Sequence, residues 1–148
     1  MNKEAITSKH APGAIGPYSQ GIRIGYTLFL SGQIGLDPAN GQLVEGLEAQ
    51  THQVFRNLRA VMQAGGGELD DVVKVTMMLA DLGDFAKVNE IMASYFRAPY
   101  PARATCQVAA LPRGARIEVE GIAILHPGDS MPMGVDSHEK PARAKKGQ

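Results

Sequence analysis

Residues 47–79, LEAQTHQVFRNLRAVMQAGGGELDDVVKVTMML, decide the fold. The first half predicts an amphipathic helix, because apolar or near-apolar residues recur every three or four positions. The glycines at 65–67 end it, since glycine adopts the left-handed conformation without a Cβ penalty. Val72–Leu79 is apolar at nearly every position and rich in β-branched residues, which predicts a strand in the middle of a sheet. The positions on the apolar side of the helix are Leu47, Thr51, Val54, Phe55, Leu58, Val61 and Met62.

The segment before this stretch predicts a short strand, a loop and one longer strand. Residues 11–20 are rich in glycine and proline, which indicates a loop. Residues 22–32 predict a strand, with a turn or bulge at Gly25 and Tyr26. Residues 37–41, Asp-Pro-Ala-Asn-Gly, are a turn signal that leads into the helix.

The segment after it predicts a second helix and two further strands. Asp84 is a candidate N-cap, and Pro99 marks the latest point at which this helix must have ended. Residues 104–110 and 117–125 predict strands, and in the second of them Glu118 shares a face with Glu120. The element order predicts an α+β fold in which two helices cover one face of a mixed sheet.

Length and composition set the class of protein. The 148 residues and 15.8 kDa fit one domain, 1–126, followed by a flexible tail at 127–148. Fifteen basic and fifteen acidic residues give no net charge, which argues against a nucleic-acid or membrane-surface partner. The single cysteine, Cys106, cannot close an intramolecular disulfide, and residues 1–17 lack the apolar core of a signal peptide. We therefore expect a cytoplasmic protein.

The predicted sheet is apolar on both faces, although two helices cover only one of them. Burial of the second face requires another copy of the chain, so we expect a homo-oligomer. The four histidines have no metal-ligand spacing, and no dinucleotide, phosphate-loop or serine-hydrolase motif is present. We therefore expect no metal site and no dinucleotide, P-loop or serine-hydrolase site.

Three positions are candidates for chemistry on the residues alone, and each has a plainer alternative. Arg103 could clamp a carboxylate with two hydrogen bonds, or be a surface arginine or a counter-charge at a helix end. Glu118, beside Glu120, could act as a general acid or base; alternatively it lies on a solvent-facing edge strand, or forms a salt bridge with Arg113 or Arg116. Tyr18 lies in the loop before the strands and could donate to a ligand or be a surface or interface aromatic.

Ten short motifs, in order and with spacing intact over residues 6–123, resemble the RidA/YjgF family, also called UK114 or L-PSP endoribonuclease-like. They are Ala11-Pro12, Ala14-Ile15-Gly16-Pro17-Tyr18-Ser19-Gln20, Ser31-Gly32-Gln33-Ile34, Asp37-Pro38 with Gly41, Asp71-Val72-Val73-Lys74, the helix start from Asp84-Phe85 to Val88-Asn89, Tyr95-Phe96, Pro101-Ala102-Arg103, Val108-Ala109-Ala110-Leu111-Pro112 and Ile117-Glu118-Val119-Glu120.

The resemblance implies a chorismate-mutase-like fold, assembled as a homotrimer with a central barrel and a ligand cleft at each subunit interface. It also implies cofactor-free hydrolysis of 2-iminobutanoate and 2-iminopropanoate, or their enamine forms, to 2-oxo acids and ammonia. In this chain Arg103 would clamp the substrate carboxylate and Glu118 would position or activate water. The residues that would line the same cleft are Tyr18, Ser31, Gly32, Asn89 and Thr105, the last standing where many relatives have a small residue or cysteine.

Two other functions stay open at this stage. One is a non-catalytic protein that binds small carboxylates such as 2-oxo acids in the same cleft. The other is the ribonuclease or translation-inhibitor activity that the alternative family name suggests, against which the zero net charge argues.

Overall fold

The computed structural model describes residues 2–126, and the tail predicted at 127–148 lies outside them. One six-stranded sheet runs in the order β1-β2-β3-β6-β4-β5, antiparallel except for the parallel pair β4–β5. The predicted mixed α+β architecture is therefore confirmed. The elements are β1 Glu4–Ile6, β2 Gly21–Ile24, β3 Thr27–Gln33, α1 Leu47–Ala64, β4 Val72–Leu79, α2 Phe85–Met92, β5 Ala102–Gln107 and β6 Ile117–Ile124.

Helix α1 ends as its sequence predicts. Gly66 has a φ of 94°, the left-handed conformation that favours glycine. The Gly66 N–H donates to the Gln63 carbonyl at 3.1 Å, and the Gly67 N–H donates to the Met62 carbonyl at 2.9 Å. These two bonds form a Schellman motif, so the glycine run satisfies carbonyls that the end of the helix leaves free.

Strand β4 lies between β6 and β5, which confirms its predicted place within the sheet. Val75, Met77 and Leu79 are at most 1% exposed and form the core with the helices, as do Ile117 and Val119 of β6. Side chains alternate along a strand, so the residues between these positions point to the other side of the sheet. This second side, which no helix of the described chain covers, is the helix-free face.

The helix-free face keeps apolar side chains in contact with solvent. Phe29 is 44% exposed and Ile124 is 45% exposed, while Ile22 and Ile122 flank Phe29 in the pairing register and are partly buried. The predicted excess of apolar surface is therefore present in the isolated chain.

The second helix is shorter than its apolar spacing predicts. It ends at Met92, because residues 93–95 tighten into a turn in which the Ser94 hydroxyl donates to the Ile91 carbonyl at 2.6 Å. Asp84 stands at the N-cap position but makes no capping hydrogen bond, since its carboxylate pairs with Arg116 at 2.9 Å. The predicted Asp84 cap is therefore wrong.

Strand β5 lies two to three residues earlier than predicted, at Ala102–Gln107 instead of 104–110. Its bounds follow the parallel register with β4, which runs from Lys74 opposite Ala102 to Leu79 opposite Gln107. A register with a neighbouring strand is a tertiary property, so local sequence patterns did not reveal it.

Candidate active site

The loop before β2 is held in place by one buried amide. The side chain of Gln20 is 3% exposed, and its oxygen accepts from the Ser8 N–H at 2.5 Å. Its nitrogen donates to the carbonyls of Ser8 at 3.1 Å and Pro12 at 2.7 Å. The loop closes further on along the chain, where the Tyr18 N–H donates to the carbonyl of Gly16, whose φ is 111°. These bonds fix the loop that carries Tyr18.

A cavity of about 520 Å³ opens beside this loop, whose residues form part of the cavity wall. We call it the Glu118 cavity, since the carboxylate of Glu118 is its acidic group; Tyr18, Ser31, Gly32 and Arg113 also line it. The Ser31 hydroxyl donates to the Ser19 carbonyl, which ties β3 to the loop. A Cβ at Gly32 would overlap the Oε2 atom of Glu118, so only glycine leaves the carboxylate its present position.

The carboxylate of Glu118 is perturbed by its surroundings. Partial burial raises the pKa of Glu118, and the charge of Glu120 on the same face raises it further. No arginine of the described chain forms an ion pair with it: the Arg113 guanidinium donates to the Gly41 carbonyl at 2.7 Å, and Arg116 pairs with Asp84. A carboxylate with a raised pKa in an open cavity suits proton transfer to and from water.

Arg103 lies in a different cavity, of about 430 Å³, which we call the Arg103 cavity. Its Nη1 donates to Oδ1 of Asn89 at 2.5 Å, and its Cζ lies 5.1 Å from the centre of the Phe85 ring. Met92 and Tyr100 also line this cavity. An arginine beside an open cavity can bind a ligand carboxylate with two parallel hydrogen bonds.

The two cavities belong to opposite faces of the sheet. Arg103 pairs in register with the buried Val75 and contacts α2, so it lies on the helix side. Glu118 stands between the buried residues Ile117 and Val119, so it points to the helix-free face. Within one chain, Arg103 and Glu118 therefore do not face a common ligand.

The structure thus divides the predicted site residues into two groups and one separate residue. Tyr18, Ser31, Gly32 and Glu118 share one cavity, while Asn89 and Arg103 share the other. Thr105 lies on the helix side, opposite Met77, and its buried hydroxyl has no hydrogen-bond partner in the described chain. The neighbouring Cys106 points to the other face, as its sequence position predicts.

Three residues that shape these cavities were not singled out from the sequence as site residues. Gln20 holds the loop, Phe85 lies beside the Arg103 guanidinium, and Arg113 lines the Glu118 cavity with a φ of 62° that is unusual for a non-glycine residue. The sequence signal for Phe85 was its spacing from Asn89 and Met92, which places all three on one face of α2.

Residues 2–126 contain no cluster of three or more histidine, cysteine or acidic side chains arranged to hold a metal ion. In the same range, no helix combines the length and the apolar character needed to cross a membrane.

The fold and its cavities define a class: a small α+β protein with one helix-covered sheet, a carboxylate cavity on one face and an arginine cavity on the other. The sequence profile of the family described as Endoribonuclease L-PSP matches residues 8–125. The chain belongs to this family, which is the RidA/YjgF family of the resemblance described above.

Two relatives illustrate the similarity in sequence. A 2-iminobutanoate/2-iminopropanoate deaminase of Mus musculus is 48% identical over 126 residues, which cover 84% of this chain and 93% of the mouse protein. Reactive Intermediate Deaminase A, chloroplastic, of Arabidopsis thaliana is 52% identical over 126 residues, which cover 84% of this chain and 67% of the plant protein.

Two solved structures illustrate the similarity in fold. RidA from the Antarctic bacterium Psychrobacter superimposes with a TM-score of 0.81 at 48% identity, over 82% of this chain and 99% of that chain. E. coli TdcF with bound serine superimposes with a TM-score of 0.79 at 37% identity, over 83% of this chain and 99% of that chain.

Proposed function

We propose that this protein is a deaminase that hydrolyses 2-iminobutanoate, 2-iminopropanoate and their enamine forms to 2-oxo acids and ammonia. The names of its relatives at 45–52% identity support this reaction. The observation that carries the proposal is the pair of half-sites: Arg103 provides a cation for the substrate carboxylate, and Glu118 provides a carboxylate for water.

The active unit is a homotrimer in which Arg103 of one subunit faces Glu118 of a neighbour. Two observations support this arrangement. Arg103 and Glu118 lie on opposite faces of one sheet, so a common ligand needs two chains, and Phe29 and Ile124 leave the helix-free face apolar and exposed. Light scattering tests the assembly, and we expect a mass three times the 15.8 kDa of the chain.

The hydrolysis requires few catalytic groups, because the imine carbon is already electrophilic. Arg103 binds the carboxylate and orients the C=N bond. Glu118 accepts a proton as water adds to the carbon, and the resulting carbinolamine carries the new hydroxyl. Glu118 returns this proton to the nitrogen, which becomes an amine. Glu118 then transfers the proton of the new hydroxyl to the same nitrogen as the C=O bond forms and the C–N bond breaks, so that ammonia and the 2-oxo acid are released.

The remaining predicted residues act around this pair. Tyr18, on the fixed loop, donates to the substrate, while Ser31 and Gly32 shape the wall that holds Glu118. Asn89 supports Arg103, and the unpartnered Thr105 hydroxyl supplies a polar group on the helix side. We also propose a cytoplasmic location, supported by the one free cysteine, and no nucleic-acid partner, supported by the zero net charge.

The test is hydrolysis of 2-iminobutanoate, generated from threonine by a dehydratase and trapped by semicarbazide. We expect the wild type to outcompete the trap and Arg103→Ala to lose this ability. If the wild type leaves the trapping rate unchanged while its mass is that of a trimer, the deaminase proposal is wrong. Binding of a 2-oxo acid in that case would favour the non-catalytic alternative.

A further inference from the structure

Three side chains on one face of α2 contact the guanidinium of Arg103. Phe85, Asn89 and Met92 are spaced by four and three residues, so they lie on the same side of the helix. The Phe85 ring centre lies 5.1 Å from Cζ, Oδ1 of Asn89 accepts from Nη1 at 2.5 Å, and the Met92 sulfur lies 3.7 Å from Nη1. We call these three side chains the α2 cradle.

Every group of the cradle is electrically neutral. An amide oxygen, an aromatic ring face and a thioether attract a guanidinium through dipoles, the ring quadrupole and polarisability, without cancelling its charge. In the part of the chain that the structure describes, Arg103 has no carboxylate partner. Its charge therefore stays available for a ligand.

Nearby carboxylates are occupied elsewhere. Asp84, just before the cradle, pairs with Arg116 at 2.9 Å, and Glu90, next to Asn89, pairs with Lys87 at 3.3 Å. Other arginines of the same chain show the contrast, since Arg97 pairs with Asp70 at 2.6 Å. The local sequence thus offers acidic residues, yet none of them contacts Arg103.

We propose that Phe85 and Asn89 are positioning residues that hold Arg103 in place while leaving its positive charge uncompensated for the substrate carboxylate. This inference rests on the proposed function. An arginine already paired with an internal carboxylate would have to exchange that partner for the ligand, so its net gain on binding would be small. Neutral partners give orientation without this competition.

The decisive variant is Asn89→Asp, which has nearly the same shape and supplies an internal carboxylate 2.5 Å from Nη1. We expect the affinity for 2-oxobutanoate, measured by calorimetry, to fall at least about tenfold, because the new carboxylate competes with the ligand for the guanidinium. The thermal unfolding midpoint should stay equal or rise, because a new ion pair forms. A purely structural role for Asn89 predicts the opposite pattern, a lower midpoint with affinity preserved in the folded fraction.

The ring is tested by Phe85→Leu and Phe85→Tyr. Leucine keeps the bulk but removes the π face, so we expect KM for 2-iminobutanoate to rise about threefold to fivefold with kcat nearly unchanged. Tyrosine restores the π face and should return KM to the wild-type value. Glu90→Gln, an exposed position on α2 whose side chain does not contact Arg103, is the matched control and should leave both constants unchanged.

Wild-type affinity in Asn89→Asp would overturn the inference, as would equal KM values in Phe85→Leu and Phe85→Tyr. Binding of 2-oxobutanoate by a wild type that hydrolyses no imine would overturn the proposed function alone, and Asn89→Asp would still test the cradle. A wild type that does not bind 2-oxobutanoate would overturn the inference together with the carboxylate clamp.

Discussion

Glu118 is the residue on which the proposed hydrolysis depends, and its raised pKa predicts a pH dependence of the reaction. Burial and the neighbouring Glu120 raise the pKa of Glu118, so protonation begins at a higher pH than the ordinary value of 4.5 implies. The carboxylate form activates water, so kcat should fall as pH drops through the raised pKa. Glu120→Gln removes one cause of the shift and should move this acid limb to lower pH, as a pH–rate profile would show.

Glu118→Gln should lower kcat by about 100-fold or more, which is the usual scale of general acid–base catalysis. The affinity for 2-oxobutanoate should change little, since Arg103 provides the carboxylate contact. Stopped assays and calorimetry on the same preparation separate the two effects. A variant with wild-type kcat would assign the proton transfer to another group.

Gly32 is needed because the carboxylate of Glu118 occupies the space of its missing side chain. Gly32→Ala should displace that carboxylate and lower kcat about tenfold or more, because general acid–base catalysis requires hydrogen-bond geometry. Gly13→Ala is the control, since a methyl group there meets no atom within 4 Å. Equal losses in both variants would point to a general sensitivity of the cavity, and a crystal structure of Gly32→Ala would show the Glu118 rotamer.

For single residues, the sequence predicted which side of a strand a side chain lies on better than it predicted the partners of the arginines. The alternation along β6 correctly placed Glu118 and Glu120 on one face, because the period of a strand is local. The predicted ion-pair alternatives with Arg113 or Arg116 failed, because the actual partners, Gly41 and Asp84, lie far away along the chain.

At the scale of elements, the conformation of the loop before β2 depends on the hydrogen bonds of the buried Gln20 side chain. Gln20→Leu should lower the free energy of unfolding by about 2 to 3 kcal/mol, because buried backbone groups of Ser8 and Pro12 lose their partner. Imine hydrolysis should fall with it, as the loop carries Tyr18. Denaturant unfolding measures the first effect.

The control for this prediction is Gln63→Leu, an exposed position on α1 where the change should stay within about 0.5 kcal/mol. A Gln20→Leu protein as stable as the control would mean that water replaces the amide at no cost.

The periodicity of apolar residues and the positions of glycines predicted the bounds of a helix or strand wherever interactions within a few residues determine those bounds. Helix α1 and strand β4 match their predicted bounds to within a residue, because an amphipathic repeat, a glycine stop and a β-branched run act over a few residues. Helix α2 and strand β5 did not, because the turn at residues 93–95 ends α2 early and the parallel register with β4 sets the bounds of β5.

At the scale of the whole molecule, the opposite placement of Arg103 and Glu118 predicts complementation between two inactive proteins. Trimers of Arg103→Ala and of Glu118→Gln should each be nearly inactive. After unfolding and refolding as an equal mixture, about a quarter of the sites would combine one intact residue from each parent, so activity should return to about a quarter of the wild type. A mixture that stays inactive while forming mixed trimers would place both residues of a site in the same chain.

The sequence indicated an assembly because two helices cannot cover two faces of a sheet, and the family resemblance implied clefts at subunit interfaces. Neither placed Arg103 and Glu118 on opposite faces of one sheet. That placement follows from the pairing of Arg103 with Val75 and of Glu118 with Met78, which only the folded sheet defines.

Because Arg103 and Glu118 lie on opposite faces of one sheet, the proposed site needs two chains. The rate per chain should therefore depend on the protein concentration. In the proposed trimer, a lone folded chain would hold one half of each of two sites and complete neither, so specific activity should fall on dilution as subunits separate. Newly made chains would then be inactive until their concentration is high enough for them to associate. The association that would cover Phe29 and Ile124 would thus set the protein concentration at which hydrolysis begins.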